Sequence, residues 1–440
     1  MRILYFIFYG FLNYCIRLFY RKIRLVNATT NRYSSTIYVS NHPSAFMDPL
    51  IIAALRKPIV FFMTRSDVFN KWTSPILSSA HMIPIYRQHD GGNAMEKNKE
   101  SFKKATEVLS SNRSLLIFGE GLTDDVFERR LKPLKKGALR IGFTALEETN
   151  WEKEIRIVAV GCNYTNPNVM RSDLLISESK PLILNDFKDQ YLENPAKTIN
   201  ELNRVLESML ITEITHIERD DDFAFHEQVM MLTRKGMNPY CFDDQIPLEK
   251  RWNYSKDLAH FLNQQGGNYS SEFLSLRSEV QGYFNQLKQL KTSEMELYHQ
   301  KHANNLMNVL KMLILSPFAF LGMLHSFLPF YVVKRFVEKS FKRKVFWNST
   351  KMLMTMLSMQ LFNLPILVIL PMYFGVSFKY VFVYYLLIGI LGLIWYQWLK
   401  LVKQILPKRG GINQLELENL WNKRAELITR IQTIIPVNIS

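Results

Sequence analysis

The clearest candidates for chemistry are a histidine and an aspartate in the run Ser40-Asn41-His42-Pro43-Ser44-Ala45-Phe46-Met47-Asp48. The run follows a strand-like stretch, Thr36–Val39, so the histidine stands where a strand ends. Ser44 is typical of a helix N-cap, which places Asp48 about one turn into a helix and within reach of the imidazole. A carboxylate on one ring nitrogen fixes the tautomer, and the other nitrogen can then take a proton from a hydroxyl. His42 and Asp48 are therefore a candidate general base.

The spacing of this pair is weak support when taken alone. Nine histidines, with aspartate at about one position in twenty, give about 0.4 such pairs by chance. The alternative is a loop histidine with an unrelated helical aspartate. The choice between a general base and this alternative depends on whether other sequence blocks suited to the same chemistry follow along the chain.

Two such blocks follow, each at the end of a strand-like run. In Ile83-Pro84-Ile85-Tyr86-Arg87, the guanidinium of Arg87 is suited to clamp a phosphate, although a solvated arginine at a strand end is the plain alternative. In Leu115-Leu116-Ile117-Phe118-Gly119-Glu120-Gly121, the glycines allow the backbone to approach a ligand closely. Glu120 is suited to accept hydrogen bonds from ligand hydroxyls, and a tight turn with a surface glutamate is its alternative.

The elements that must position these residues alternate between strands and helices over residues 26–194. Short apolar or β-branched runs predict strands, and the spacing of Phe102, Ala105 and Leu109 predicts a helix over Asn93–Ser110. This alternation predicts an α/β domain with a mixed, largely parallel sheet flanked by helices. Residues 195–308 lose the strand signals and predict a helical region, with an apolar stripe at Ile199, Leu202, Leu206, Leu210 and Ile214.

Two further blocks complete a pattern: Leu134-Lys135-Lys136-Gly137-Ala138, and Val158-Ala159-Val160 running on to Tyr164. Together, the five blocks resemble the glycerophospholipid acyltransferase family, which contains the glycerol-3-phosphate and lysophosphatidate acyltransferases. The Asn-His-x4-Asp motif of that family has its counterpart at His42 and Asp48, although five residues rather than four lie between them here. Its Phe-Pro-Glu-Gly-Thr motif matches at Phe118–Gly121. Gly119 replaces the proline and Leu122 the threonine of that motif, so the acceptor is not identified by it.

The resemblance implies transfer of a fatty acyl group from a coenzyme A or acyl-carrier-protein thioester to a hydroxyl of glycerol 3-phosphate or its 1-acyl derivative. It implies catalysis by His42 and Asp48 without an acyl-enzyme, and binding of the acceptor by Arg87, Glu120 and Gly121. Lys135 and Lys136 are candidates for donor or headgroup phosphates. No cofactor and no metal are expected, and acyl-CoA or acyl carrier protein would be a co-substrate.

Apolar segments predict attachment to a membrane at both ends of the chain. Residues 1–25 predict an interfacial helix rich in aromatic side chains, with a buried core helix as the alternative. Within 309–402, three segments have about the length of a membrane span: 312–333, 353–373 and 380–399. The last two are expected to form a hairpin, and 312–333 either spans or re-enters, with Pro317, Pro329 and His325 favouring re-entry. Residues 403–440 are expected to be a cytoplasmic tail.

The charge balance fits an enzyme at a membrane surface. The chain has 440 residues and a formal net charge of +16, which suits anionic lipid, acyl-CoA and a phosphorylated glycerol acceptor. The basic connector, Val332–Lys351, is expected to be cytoplasmic by the positive-inside rule, and the catalytic domain is expected on the cytoplasmic face. The alternatives are an inactive membrane-bound lipid-binding or scaffold protein and, much less favoured, a nucleic-acid-binding protein. The three cysteines predict no disulfide framework.

Overall fold

The computed structural model describes residues 2–27, 35–55, 60–86, 94–121, 123–302, 305–405 and 414–437. They divide into two compact units. The first comprises residues 1–17, 22–168 and 172–216, and the second comprises 18–21, 169–171 and 217–440.

An eight-stranded sheet organises the first unit. Its strands are β1 (Ile23–Val26), β2 (Ser35–Ser40), β3 (Val60–Arg65), β4 (Met82–Ile85), β5 (Ser114–Phe118), β6 (Ile155–Tyr164), β7 (Leu174–Glu178) and β8 (Leu182–Ile183). The spatial order is β1-β7-β6-β2-β5-β3-β4, with β8 beside β6. Strands β6, β2, β5, β3 and β4 run parallel, whereas β7 and β8 are antiparallel to β6. The predicted mixed, largely parallel sheet is confirmed.

Helices cover the sheet. They are α1 (Arg2–Phe19), α2 (Met47–Leu55), α3 (Ser74–Ser79), α4 (Ala94–Ser110), α5 (Gly137–Glu148), α6 (Lys188–Glu193) and α7 (Pro195–Thr212). The core lies between strands β2, β5 and β6 and helices α4, α5 and α7. Leu202, Leu206 and Leu210 of the predicted stripe are buried in this core. Helix α7 therefore packs with the α/β layers, and the first unit extends to His216.

Helix α1 has two different halves. Phe6 and Ile7 are about three-fifths exposed, whereas Cys15 and Ile16 are buried. Burial raises the pKa of the Cys15 thiol to about 12, which keeps the sulfur neutral. The side chain of Asn13 donates to the carbonyl of Ala54, which fixes α1 against α2.

The second unit is helical. It contains α8 (Asp220–Thr233), α9 (Leu248–Gln265), α10 (Ser271–Gln289), α11 (Glu294–His302), α12 (Asn305–Ser340), α13 (Trp347–Asn363), α14 (Ile366–Phe374), α15 (Phe378–Ile405) and α16 (Gln414–Ile434). Helix α16 closes the core of α8, α9 and α10, where Leu420, Leu427 and Ile431 are buried. Inside that core, Arg424 donates to the Glu294 carboxylate at 2.5 Å and to the carbonyl of Leu232.

Among the residues that the structure describes, three helical segments have the length and apolarity of membrane spans: Leu306–Ser340, Lys344–Phe374 and Phe378–Ile405. Most of their surface is exposed, as expected for side chains that face lipid. They correspond to the three segments predicted from the sequence. Pro317 and Pro329 lie inside the continuous helix α12 and do not interrupt it.

Candidate active site

His42 lies at the carboxyl end of β2, between β5 and β6 near the middle of the sheet. The backbone ladder between β2 and β6 ends at the pair Ser40 and Val160. Beyond it, the side chain of Asn41 continues the pairing: Nδ2 donates to the carbonyl of Cys162 at 3.2 Å, and Oδ1 accepts from its N–H at 2.8 Å. The backbone entering His42 is therefore fixed on both sides.

The imidazole of His42 is held by a buried carboxylate. Its Nδ1 lies 2.9 Å from Oδ2 of Asp48, which has no exposed surface. The same oxygen accepts the N–H of Ser44 at 2.8 Å, and Oδ1 accepts the hydroxyl of Tyr164 at 2.6 Å. These donors compensate the desolvated carboxylate, so Nδ1 carries the proton and Nε2 is the basic nitrogen. The predicted pair is thus in mutual contact.

The local prediction for the chain between them was wrong in one detail. Helix α2 begins at Met47, three residues after Ser44, and Asp48 lies in its first turn. Ser44 does not cap the helix: its backbone N–H donates to the Asp48 carboxylate. The carboxylate therefore organises the turn as well as the ring, and Ala45 takes the positive φ of 45° that this turn requires.

The outer face of the ring remains accessible. The side chain of His42 is 19% exposed, and Phe118 stacks on the imidazole with ring centroids 4.2 Å apart. Within the part of the chain that the structure describes, no hydrogen bond is made to Nε2. An incoming hydroxyl would therefore not compete with a described protein group for Nε2.

Glu120 is brought to the same place by the strand next to β2. One of its oxygens accepts the backbone N–H of His42 at 3.1 Å, and the residue is 5% exposed. Burial raises the pKa of its carboxyl group to about 7, while the charge of Lys132 acts in the opposite direction. The carboxyl group predicted to bind ligand hydroxyls thus also holds the backbone of His42.

The glycines around Glu120 allow close packing of the following loop. Gly121 has a φ of 71°, which favours glycine, and a Cβ there would lie 3.2 Å from Cε of Lys135. The N–H of Lys135 donates to the carbonyl of Gly119 at 2.8 Å, so the loop folds back against the strand end. A Cβ at Gly119 would lie 2.8 Å from Leu134 and 3.1 Å from Val39.

The remaining predicted residues differ in how far they join the site. Lys135 lies beside Gly121, whereas Lys136 stands exposed directly before α5. Arg87 lies outside the described residues. The chain just before it is well held, because the side chain of Asn98 bonds both the N–H and the carbonyl of Tyr86. Strand β4 runs parallel to β3, so it ends at the same edge of the sheet as His42.

Two members of the site carried no predicted role. Asn41 stood in the motif, and Tyr164 stood at the end of a predicted strand, but neither was expected to touch the pair. Their roles depend on the register of β6 against β2, which places Tyr164 beside Asp48 from a distance of 116 residues in the chain. Among the described residues, no group of three or more His, Cys, Asp or Glu side chains is arranged to hold a metal ion.

The fold and the site together define an α/β protein with a hydrogen-bonded histidine–aspartate pair at the carboxyl edge of its sheet. Residues 22–163 match the family model described as Acyltransferase. This part of the chain is an acyltransferase domain, and the family resemblance predicted from the five blocks is confirmed. The match includes both members of the pair and stops one residue before Tyr164.

Structural comparison gives a partial match to a solved structure. The crystal structure of the 1-acyl-sn-glycerophosphate (LPA) acyltransferase PlsC from Thermotoga maritima matches with 15% sequence identity and a TM-score of 0.29. The match covers 47% of this chain and 79% of that protein. No curated protein matches the chain in sequence. The assignment of residues 22–163 to an acyltransferase domain rests on the family model.

Proposed function

We propose that the protein transfers a fatty acyl group from a thioester of coenzyme A or acyl carrier protein to a hydroxyl of glycerol 3-phosphate or 1-acylglycerol 3-phosphate. The observation that carries this proposal is the setting of His42, whose Nδ1 is held by the buried Asp48 while the side chain stays 19% exposed. Such a pair is suited to deprotonate an alcohol. The acyltransferase domain supplies the reaction class, and the glycerol phosphate acceptor is the finer part of the proposal.

In the proposed reaction, Nε2 of His42 takes the proton of the acceptor hydroxyl as its oxygen attacks the thioester carbonyl carbon. A tetrahedral oxyanion forms and then collapses, breaking the carbon–sulfur bond. The leaving thiolate receives the proton from the imidazolium, which Asp48 stabilises. General base catalysis supplies about 10²–10⁴-fold, so orientation of the two substrates must supply the rest.

Direct transfer without an acyl-enzyme is supported by the state of Cys162, a thiol near the site that is unsuited to carry the acyl group. Cys162 is buried beneath the site, with its sulfur 3.7 Å from the hydroxyl oxygen of Ser40. Burial raises the pKa of this thiol, so it stays protonated and is a poor nucleophile. The acceptor hydroxyl is then the group that attacks the donor.

The proposed acceptor site lies around the strand ends beside His42. Glu120 and the backbone of Gly121 would order the glycerol part, and Arg87 would bind its phosphate. Lys135 adds positive charge next to Gly121, and Lys136 follows at the start of α5. These two lysines are suited to the phosphates of the donor or of lipid headgroups.

Contacts within the second unit support a membrane topology in which α12 and α15 are an antiparallel spanning pair. Trp398 donates to the carbonyl of Met312, Gly322 lies against the backbone of Leu391, and His325 bonds Tyr384. Residue numbers that rise along α12 therefore face residue numbers that fall along α15, so the two helices are antiparallel over the apolar part of both. Both nitrogens of His325 are bonded, to Tyr384 and Asn363, so this histidine does not oppose burial in lipid.

Helices α13 and α14 fit this topology as a re-entrant hairpin. Helix α13 starts near the end of α12, where Lys351 pairs with Glu338, and it reaches the level of His325 at Asn363. Helix α15 runs away from the connector and reaches His325 at Tyr384. Its first residue, Phe378, therefore lies between the level of His325 and the connector. Helix α14 must lead back towards the connector.

This topology separates the basic connector from the rest of the second unit. Because α16 shares a core with α8, α9 and α10, both ends of the spanning pair join elements on one side. We place that side in the cytoplasm, where coenzyme A thioesters and phosphorylated acceptors are found. The connector then lies opposite, although its charge alone predicts a cytoplasmic position. Basic residues also flank the other end of the pair, at Lys311, Lys400 and Lys403, so charge does not choose between the ends.

The test is a transfer assay with the full chain in lipid vesicles. One labelled acyl-CoA is offered with glycerol 3-phosphate, 1-acylglycerol 3-phosphate, or lysolipids that lack a free phosphate, and the product lipid is identified. Formation of an acylated glycerol phosphate supports the proposal, and transfer only to the other lysolipids would overturn the acceptor assignment. No transfer from either acyl-CoA or acyl carrier protein would favour the alternative, an inactive lipid-binding or scaffold protein.

A further inference from the structure

The loop that follows β3 lies at the same edge of the sheet as the candidate active site. Strand β3 runs parallel to β5, and β5 runs parallel to β2, so the three strands end at one edge. His42 follows β2 and Glu120 follows β5 at that edge. Residues 66–73, between β3 and α3, therefore emerge beside the mouth of the site.

This loop is a built turn with a tryptophan at its tip. Oδ1 of Asn70 accepts the N–H groups of both Trp72 and Thr73 at 2.9 Å. The Thr73 hydroxyl accepts the N–H of Asn70 at 3.0 Å and donates to the carbonyl of Val68 at 2.5 Å. The turn is held by its own polar groups, so the position of the indole is set by the fold.

The tip is apolar, exposed and basic. Trp72 is 83% exposed, the largest exposed fraction among the large hydrophobic side chains of the described residues, and Ile76 on the next helix is 50% exposed. Exposed Lys71 precedes the indole. The acidic neighbour, Asp67, is paired with Arg65, so the charge that remains at the tip is positive.

We propose that this tip, formed by Lys71, Trp72 and Ile76, is a docking surface for the headgroup region of a lipid bilayer. Tryptophan prefers this region because its ring is apolar and its N–H is polar, and a neighbouring lysine meets lipid phosphates. The same chain carries three helices of membrane length, which hold it at a bilayer. The proposal rests on the proposed function: docking here would bring the mouth of the acyl-transfer site to the surface from which lipid substrates come.

The direct test measures depth in the membrane. A nitroxide is attached to Ile76→Cys in the full chain, which keeps Trp72, and the protein is reconstituted in vesicles of phosphatidylcholine and phosphatidylglycerol. Collisions of the nitroxide with dissolved oxygen and with an aqueous nickel chelate are compared. The three native cysteines are buried and do not compete for the label. The matched control is Glu152→Cys, exposed just before β6 and hence at the opposite edge of the sheet. We expect oxygen to dominate at position 76 and the chelate to dominate at position 152.

Equal access of the chelate to both positions would overturn the proposal and leave the tip to a protein partner. A second measurement compares Trp72→Ala with wild type on a long-chain acceptor in the bilayer and on a short-chain, water-soluble acceptor. The ratio of the two rates should fall about tenfold, because the variant loses the aromatic anchor. An unchanged ratio would also count against docking. If no transfer occurs at all, the depth measurement still stands, so failure of the proposed function is distinguishable.

Discussion

The hydroxyl of Tyr164 donates a 2.6 Å hydrogen bond to Oδ1 of Asp48, the carboxylate whose other oxygen holds His42. The bond joins the end of β6 to the first turn of α2. It completes a chain of hydrogen bonds from a buried phenol, through a carboxylate, to the partly exposed imidazole of His42. Several properties of the site depend on this chain of hydrogen bonds.

Replacing the histidine should abolish transfer without unfolding the protein. His42→Ala removes the base, so the transfer rate should fall by about 10²–10⁴-fold. The side chain is at the rim of the fold, so circular dichroism and the unfolding temperature should change little. His260→Ala is the matched control, because His260 is exposed on α9. Normal transfer by the His42 variant would refute the assignment of the base.

Removing the tyrosine hydroxyl should change the pH dependence of transfer as well as its rate. In Tyr164→Phe the carboxylate of Asp48 loses one donor and attracts the proton on the imidazole more strongly. The acid limb of the pH–rate profile should therefore move to higher pH, and the maximal rate should fall by about tenfold. Tyr191→Phe is the control, because Tyr191 stacks on Phe143 in the core away from the site. A fall in rate with an unmoved acid limb would assign Tyr164 only a packing role.

The raised pKa of Glu120 predicts how stability depends on pH. The folded protein holds this proton up to about pH 7, whereas the unfolded chain releases it near 4.5. The free energy of unfolding should therefore fall as pH rises between these values, by on the order of 3 kcal/mol in total. Glu120→Gln cannot lose a proton, so wild type should lose stability relative to this variant over that range. A difference in the free energy of unfolding between the two proteins that stays constant from pH 4.5 to 8 would contradict the prediction.

The proposed topology predicts that two exposed positions label from opposite sides of a membrane. Lys342→Cys lies in the connector after α12, and Glu418→Cys lies on α16. In sealed vesicles, a maleimide that does not cross the bilayer should label one position before detergent is added and the other only afterwards. If both positions label together from the same side, α12 does not cross the bilayer and the re-entrant reading of 312–333 is restored.

The sequence predicted the layer structure and the central pair because both are local signals. Alternating strand and helix patterns are read over short windows, and His42 and Asp48 belong to one motif. Tyr164 could not be found in this way, since its contact depends on how far β6 extends along β2. The start of α2 was misplaced because a serine before a helix usually caps it, whereas here the buried carboxylate takes the backbone N–H of Ser44. Side chains that act against the usual local preference become visible only with the tertiary structure.

The return of α16 to the core of α8, α9 and α10 has a consequence for biogenesis. Helices α8, α9 and α10 of that core are synthesised before the apolar helices, and α16 is synthesised after them. Its buried arginine, Arg424, can pair with Glu294 only after the intervening apolar helices have been synthesised. Folding of this core would thus be completed only at the end of synthesis, and until then α8, α9 and α10 would keep an open apolar groove.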